Sequence, residues 1–503
     1  MADILKDRLP FLTKEVGLQG LLLAAGVSVS LGAAFLVDPS DPKELFALVL
    51  LPAAGFLALA APSSRRIWIP VLIGLMVIRD FNLGSLFGGA ATLKVGDIFI
   101  AYLFILWLLG HVFIKDSVQF LRSGLDLCIV LFILFHFCSL LWSTDLEFGL
   151  LRCMKLVRNF LFYLIMRELF IRDFRGSYGS LTVSYIVTGL LLLLVHFSVV
   201  FSAGGLSDLL SLVHTKKAAL TSIDLGALRV RGTGGGFFIT GPSMWFMITG
   251  TVAFGSIMLT GSRLARRLKV LLTLTMFAGA ALVLSRSTFM MLAGLMLLLF
   301  LGSVYLRFKS NIIAISTIFF LFAVAGAAAG LDNIYQKRFT NAFRDGSWTQ
   351  RVDLYLPAID AFLGHPVAGI GAGSNYSWQA NYPEIGQNQT RIVHSTYLLV
   401  LSETGAVGSI LFLAMLYFWI RYLWDCVRNR GCEPRVRSAC MALLAFSISY
   451  LIYMLAVGEF EDLEPWLIMA IASSVRNLQG SIDNGVLLPC AAPSGEYKRI
   501  ERI

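Results

Sequence analysis

Long, nearly uncharged apolar runs recur along most of this 503-residue chain, and they constrain its fold more than any other feature. Only 14% of the residues are charged, whereas soluble globular proteins carry about 25%. A run of about 20 apolar residues crosses a bilayer as one helix, and these runs lack the alternation of membrane β-barrels. The sequence therefore predicts an all-α, polytopic transmembrane helix bundle, and the net charge of +10 does not indicate nucleic-acid binding.

Counting the apolar runs predicts about fourteen spans, with twelve to fourteen as the expected range. The predicted spans lie near 17–37, 44–61, 67–80, 96–114, 124–142, 148–170, 180–202, 236–260, 268–285, 288–306, 311–331, 394–424, 438–457 and 462–478. We expect the first run to be a retained span and not a cleaved signal peptide. The predicted organisation is eleven spans over 1–330, a partly helical outer loop at 331–393, three spans over 394–479 and a tail at 480–503.

Basic residues alternate between successive loops, and this alternation predicts the orientation of the chain. Cytoplasmic loops carry an excess of Lys and Arg. With the N-terminus inside, every second loop is basic, from Arg65–Arg66 to the tail at Lys498–Arg499. We therefore expect both termini in the cytoplasm and the loops 203–235 and 331–393 on the outer side of the membrane. Cys426 and Cys432 lie in a basic loop and are expected to be reduced thiols.

Several arginines lie on the predicted outer side, although Lys and Arg are generally more frequent in cytoplasmic loops. Arg229 and Arg231 precede a glycine-rich run, Arg286 lies in a tight turn between two apolar runs, and Arg351 and Arg391 belong to the large loop. A charge in a long loop is often only solvated, but a cation between two spans is costly and usually functional. Because Arg forms bidentate contacts with phosphate, these residues predict an anionic ligand at the outer membrane–water boundary.

His394 lies where the large outer loop turns into an apolar run. An imidazole titrates near neutral pH and is the usual general base in enzymes, so His394 is a candidate catalytic residue. His111, His136 and His196 lie in or near spans among apolar residues, where a structural role is expected. Glu403 would lie on the opposite side of a continuous helix from His394, and we expect it to contact a different helix.

One further pattern is the order of motifs in the last third of the chain. The segment from Arg351 to Tyr376 is followed by His394-Ser395-Thr396-Tyr397-Leu398 and then by Glu403-Thr404-Gly405. This order resembles the O-antigen ligase and polymerase superfamily of bacterial envelope glycan assembly. The resemblance is specific over about 350–425 and is supported at 229–236 and 285–288.

The resemblance implies an inverting glycosyltransferase of the GT-C type that needs no metal or other cofactor. It would lie in the bacterial inner membrane with a periplasmic active site, and its donor would be a glycan on undecaprenyl diphosphate. Arg229, Arg231 and Arg286 would hold the diphosphate, and His394 would deprotonate the acceptor hydroxyl. Further candidate substrate contacts are Arg351, Arg391 and Tyr397.

Three activities remain open at this point. A polymerase would add the glycan to another lipid-linked repeat, with a chain-length regulator as a candidate partner, whereas a ligase would add it to lipid A-core. The large number of predicted spans favours a polymerase. A flippase for lipid-linked oligosaccharides would suit the basic stripe of Arg152, Lys155 and Arg158 within one span, but no internal repeat is visible. The Trp and Tyr residues of the large outer loop favour sugar contacts instead.

Overall fold

The computed structural model describes residues 68–78, 82–86, 91–94, 100–101, 104–105, 121–202, 242–257, 262–282, 286–308, 312–313, 315–316, 346–382, 393–456, 460 and 462–483. The chain divides into two compact units, one formed by residues 1–118 and 231–240 and the other by 119–230 and 241–503. The predicted spans 17–37 and 44–61, the loop 203–235 with Arg229 and Arg231, Arg391, and the tail after 483 lie outside the described residues. So do most of the predicted spans 96–114 and 311–331.

The described part of the first unit contains one helix and one hairpin. Helix α1 (Trp68–Ile78) falls on the short predicted span 67–80. Strands β1 (Asn82–Leu86) and β2 (Ala91–Lys94) pair in an antiparallel sheet. The hairpin departs from the all-α prediction. The sequence between the strands contains two adjacent glycines, a pair that favours tight hairpin turns.

All regular secondary structure among the described residues of the second unit is helical. Its helices are α2 (Gly124–Ser139), α3 (Leu146–Arg172), α4 (Phe174–Ser202), α5 (Pro242–Gly255), α6 (Arg263–Leu282), α7 (Arg286–Tyr305), α8 (Gly346–Gly364), α9 (Asn375–Gln379), α10 (Thr396–Arg428), α11 (Pro434–Tyr453) and α12 (Leu463–Asp483). A 3₁₀ turn at Leu140–Trp142 extends α2. Helices α8 and α9 both belong to the segment predicted as a partly helical outer loop.

Four stretches among the described residues are long and apolar enough to cross a membrane. They are Gly124–Trp142, Phe174–Leu194, Thr396–Arg428 and Pro434–Tyr453, and each overlaps a predicted span. Large apolar side chains such as Leu127, Leu131 and Leu134 remain exposed on α2, as expected for a surface that faces lipid. Together with the composition, these helices indicate a multi-pass membrane protein. The total number of spans stays a prediction.

Helix α10 is the element around which the second unit packs. It contacts α2, α8, α11 and α12, and α12 in turn packs along α3. A buried ionic cluster fixes α2 to α3, because Nη1 of Arg167 donates to Oδ1 of Asp126 at 2.7 Å and the Tyr163 hydroxyl donates to the same oxygen. Buried charges are tolerated in proteins when they are paired in this way. The cluster lies near Ser123, at the predicted cytoplasmic end of the bundle.

Candidate functional site

His394 lies two residues before α10, and its backbone is bonded to α8. The carbonyl oxygen of His394 accepts a hydrogen bond from the Tyr355 hydroxyl of α8 at 3.0 Å. The same hydroxyl lies 3.4 Å from the carbonyl oxygen of Leu455, just beyond the end of α11. The imidazole is only partly buried, whereas its neighbour Val393 is fully buried. The residue is therefore anchored through its backbone while its side chain stays partly accessible.

The first turn of α10 uses its own polar groups for anchoring. Ser395 is the N-cap residue, and its hydroxyl accepts from the N–H of Leu398 at 3.4 Å. The N–H of Thr396 donates to the carbonyl of Met454 at 3.0 Å, and the Tyr397 hydroxyl donates to the carbonyl of Leu451 at 3.0 Å. These polar groups at the start of α10 already form hydrogen bonds within the protein. An anion near His394 would therefore need other donors, such as arginine side chains.

Helix α10 is broken at Gly405, where φ is +60° and ψ is −158°. A loop formed by residues 366–374, hereafter the clamp loop, bonds to the backbone on both sides of this break. Four N–H groups donate across the junction: Ile370 N to Ser402 O (3.0 Å), Gly371 N to Glu403 O (2.9 Å), Ala406 N to Pro366 O (2.9 Å) and Val407 N to Val367 O (3.2 Å). The clamp loop thus supplies partners for backbone groups that a broken helix would leave unsatisfied.

Three alternate glycines allow the clamp loop to approach its neighbours closely. Gly369, Gly371 and Gly373 all have positive φ, between 70° and 95°. A Cβ at Gly369 would lie 2.4 Å from the carbonyl carbon of Glu403, and one at Gly373 would lie 2.2 Å from the nitrogen of Gly149. Residues with side chains rarely adopt this backbone conformation. The sequence Gly-x-Gly-x-Gly is therefore a structural requirement of the junction.

The clamp loop also bonds to the turn between α2 and α3. The Ser143 hydroxyl donates to the carbonyl of Ala372 at 2.8 Å, and the N–H of Ala372 donates to the Ser139 hydroxyl at 3.1 Å. The N–H of Thr144 donates to the hydroxyl of Ser374 at 2.9 Å. These contacts fix the clamp loop between the turn that joins α2 to α3 and the break in α10.

An ion pair between Arg152 of α3 and Glu403 of α10 crosses the same junction. The side chain of Glu403 is 1% exposed and that of Arg152 is 14% exposed. The prediction that Glu403 contacts a different helix is therefore confirmed. Arg152, the outermost member of the predicted basic stripe, has a structural partner.

Aromatic and acidic side chains gather on the surface near the end of α8. The rings of His365 and Trp378 meet edge to face, with centroids 5.8 Å apart. The Tyr382 hydroxyl donates a hydrogen bond to the carboxylate of Asp360. Burial and the Asp360 carboxylate raise the pKa of Tyr382, so the phenol stays protonated at neutral pH. We call these four residues the aromatic patch.

The predicted site residues are only partly located by the structure. Arg286 is the first residue of α7 and Arg351 lies within α8, but the described part of the chain does not include their side-chain contacts. Arg229, Arg231 and Arg391 lie outside it altogether. His136 is buried, and its Nδ1 lies 2.9 Å from the carbonyl oxygen of Phe132, which is consistent with the expected structural role. Among the described residues, no group of three or more His, Cys, Asp or Glu is placed to hold a metal ion.

Part of the chain matches a known protein family. Residues 271–413 match the family model described as O-antigen ligase. This segment is therefore similar to the O-antigen ligase family. The match confirms the predicted resemblance to the O-antigen ligase and polymerase superfamily. A search of curated proteins finds no match to the chain.

The matched segment contains most of the features described above. It includes Arg286, α8, the clamp loop, His394 and the break at Gly405. Arg152 of α3 lies outside the matched segment, although it pairs with Glu403 inside it. Sequence reasoning missed the clamp loop and the identity of the partner of Glu403. The alternate glycines were the only signal in the sequence for the loop's conformation.

Proposed function

We propose that this protein is a periplasmic-side glycosyltransferase that polymerises O-antigen or exopolysaccharide repeat units. It would move a glycan from undecaprenyl diphosphate to a sugar hydroxyl. The observation that carries the proposal is the position of His394 within the segment 271–413 that matches the O-antigen ligase family. Its backbone is bonded to α8, and its partly accessible imidazole precedes a long apolar helix.

The proposed reaction needs one base and a neutralised leaving group. His394 takes the proton from the acceptor hydroxyl, and the hydroxyl oxygen attacks the anomeric carbon of the donor. The bond from that carbon to the diphosphate oxygen breaks, so the configuration inverts and undecaprenyl diphosphate leaves. Arg286, with Arg229 or Arg231, would stabilise the negative charge on the leaving group in the way that other enzymes use a metal ion.

The aromatic patch supports a sugar substrate for the same site. Aromatic rings and carboxylates suit sugars, because a ring covers the apolar face of the sugar while a carboxylate accepts hydrogen bonds from hydroxyls. Helix α8 links the patch to the base. Tyr355 contacts the backbone of His394, and Asp360 lies five residues further along, which is about 7.5 Å in a helix. This spacing suits a sugar unit adjacent to the one that reacts.

The matched family description favours a second candidate, an O-antigen ligase that transfers the glycan to lipid A-core. Both activities would use the same donor and the same base and would differ only in the acceptor. The transport reading has less support, because Arg152 of the basic stripe is engaged in an ion pair with Glu403.

The test is a transfer assay with the purified full-length protein in lipid vesicles. One reaction contains a short undecaprenyl diphosphate glycan alone, and a second also contains lipid A-core. A polymerase produces a ladder of longer lipid-linked glycans in the first reaction, whereas a ligase forms product only in the second. Absence of any new glycosidic bond in both reactions, with donor of the native repeat, would contradict the proposed function.

A further inference from the structure

Exposed side chains on α8 sort into two groups by polarity. Leu356, Ile359 and Leu363 are 61%, 41% and 69% exposed, and their spacing places them on one face of the helix. Asp353 and Asp360 are also exposed, but they lie together on the flank beside that face. A helix with an apolar face and an acidic flank on its exposed surface suits a boundary, where the face contacts lipid and the flank contacts water.

The remaining side of α8 packs against the protein. Leu354, Ala358 and Ala361 are buried, and Ala358 packs with Val393 and Leu399 at the start of α10. Helix α8 therefore has three distinct sides. One contacts the bundle, one is apolar and uncovered, and one is acidic.

The uncovered apolar face continues into the surface of a membrane-spanning helix. Val367, just beyond α8, is 67% exposed, and its carbonyl accepts the N–H of Val407 in α10. From Val407 onward, an exposed apolar stripe follows α10. Its members are Val407, Ile410, Leu413 and Tyr417. Because α10 is long and apolar enough to cross a membrane, this stripe faces lipid acyl chains.

The length of α10 places the junction at the edge of the hydrocarbon core. The helix has 33 residues, about 50 Å, whereas the core of a bilayer is about 30 Å thick. The part from Gly405 to Ile420, which ends before the exposed Arg421, already covers about 24 Å of that thickness. The break at Gly405, and Val367 beside it, therefore lie near the outer boundary of the core.

We propose that α8 lies in the outer membrane–water boundary, with Leu356, Ile359, Leu363 and Val367 in contact with lipid acyl chains. Asp353 and Asp360 then face water. Helix α8 is consequently not part of a freely solvated loop, since it belongs to the membrane-contacting surface. Tyr355 of the same helix donates a hydrogen bond to the backbone of His394. Helix α8 therefore both contacts lipid and positions the candidate base. This inference rests on exposure and packing and does not depend on the proposed transferase activity.

Spin labels on cysteine variants of the full chain in lipid vesicles test the inference. Labels are attached at Leu363→Cys and Asp353→Cys, with Ile410→Cys of α10 as the lipid-facing reference and Cys138, Cys432 and Cys490 replaced by Ser. Molecular oxygen concentrates in lipid, whereas a nickel chelate stays in water. We expect the ratio of oxygen to nickel accessibility at position 363 to approach that at 410 and to exceed clearly that at 353.

Two outcomes would overturn the inference. Equal nickel accessibility at 363 and 353 would place both faces of α8 in water. A label at 363 that is immobile and shielded from both reagents would mean that another protein covers the apolar face. Leu356→Cys repeats the measurement about two turns away on the same face of α8, so one badly folded variant does not decide the result. Transfer activity is not read, so the outcome is independent of the proposed function.

Discussion

The guanidinium of Arg152 and the carboxylate of Glu403 form an ion pair that joins α3 to α10 beside the break in α10. Glu403 lies two residues before Gly405, and its carbonyl accepts the N–H of Gly371 from the clamp loop. The same residue therefore holds a distant helix through its side chain and the clamp loop through its backbone. The pair ties the segment 271–413, which matches the O-antigen ligase family, to a helix that precedes it in the chain.

Glu403→Ala is expected to destabilise the protein strongly, because it leaves the Arg152 cation buried without this partner. Breaking a buried pair costs about 3–5 kcal/mol. Thermal unfolding of the detergent-solubilised protein measures the effect as a lower midpoint. Arg421→Ala is the matched control, since its pair with Asp425 is exposed and such pairs contribute only about 0.3–0.5 kcal/mol. Equal midpoints for the two variants would show that the buried pair has no special role.

Gly405→Ala should also lower the unfolding midpoint and disturb the clamp loop. A Cβ at this position would lie 2.5 Å from both the nitrogen of Gly369 and the carbonyl oxygen of Val367, and the positive φ adds strain. Gly179→Ala is the control, because a Cβ there meets nothing within 4 Å on α4. That change should leave stability unchanged or raise it by up to about 1 kcal/mol. A stabilising effect of Gly405→Ala would mean that α10 is continuous.

The helices were predictable where local pattern alone determines them. Stretches such as Gly124–Trp142 and Pro434–Tyr453 are apolar over a membrane thickness, and few alternatives exist for such a run. The hairpin at 82–94 was missed, because residues 81–95 were assigned only as the connection between two predicted spans. The sequence pattern at His394 also located the start of α10 within two residues.

The junction around Gly405 could not be derived from the sequence. Apolar character continues through 394–424, and a single glycine in a helical pattern is usually tolerated. The break depends on the clamp loop, whose contacts come from elsewhere in the chain. For Glu403 the helical period predicted the direction of its side chain, but nothing local identified Arg152 as its partner.

The orientation of the chain is testable with a reagent that cannot cross the membrane. Asn381 and Asn429 are both exposed, and the positive-inside pattern places the first outside and the second in the cytoplasm. On intact cells, a charged maleimide should label Asn381→Cys above the level of the parent protein and should leave Asn429→Cys at that level. Labelling of Asn429→Cys alone would reverse the predicted topology.

Arg286→Lys is expected to weaken donor binding although the charge is kept. A lysine is a point charge and loses the bidentate fork that matches phosphate. Loss of one charged hydrogen bond corresponds to roughly ten- to hundredfold in affinity. Binding of undecaprenyl diphosphate to the purified protein measures the effect. Arg263→Lys, at the exposed start of α6, serves as the control and should bind normally. Equal affinities for the two variants would remove Arg286 from the donor site.

The central claim is that His394 is the general base, and single-turnover transfer by purified His394→Ala protein tests it most directly. We expect the transfer rate to fall by roughly 10²–10⁴-fold, because a general base contributes about that much. Donor affinity should stay near that of the parent protein, since arginines hold the diphosphate. His214→Ala, which changes an outer-loop histidine with no assigned role, should keep the parent rate. A near-parental rate for His394→Ala, or a loss of donor affinity without a loss of rate, would contradict the account.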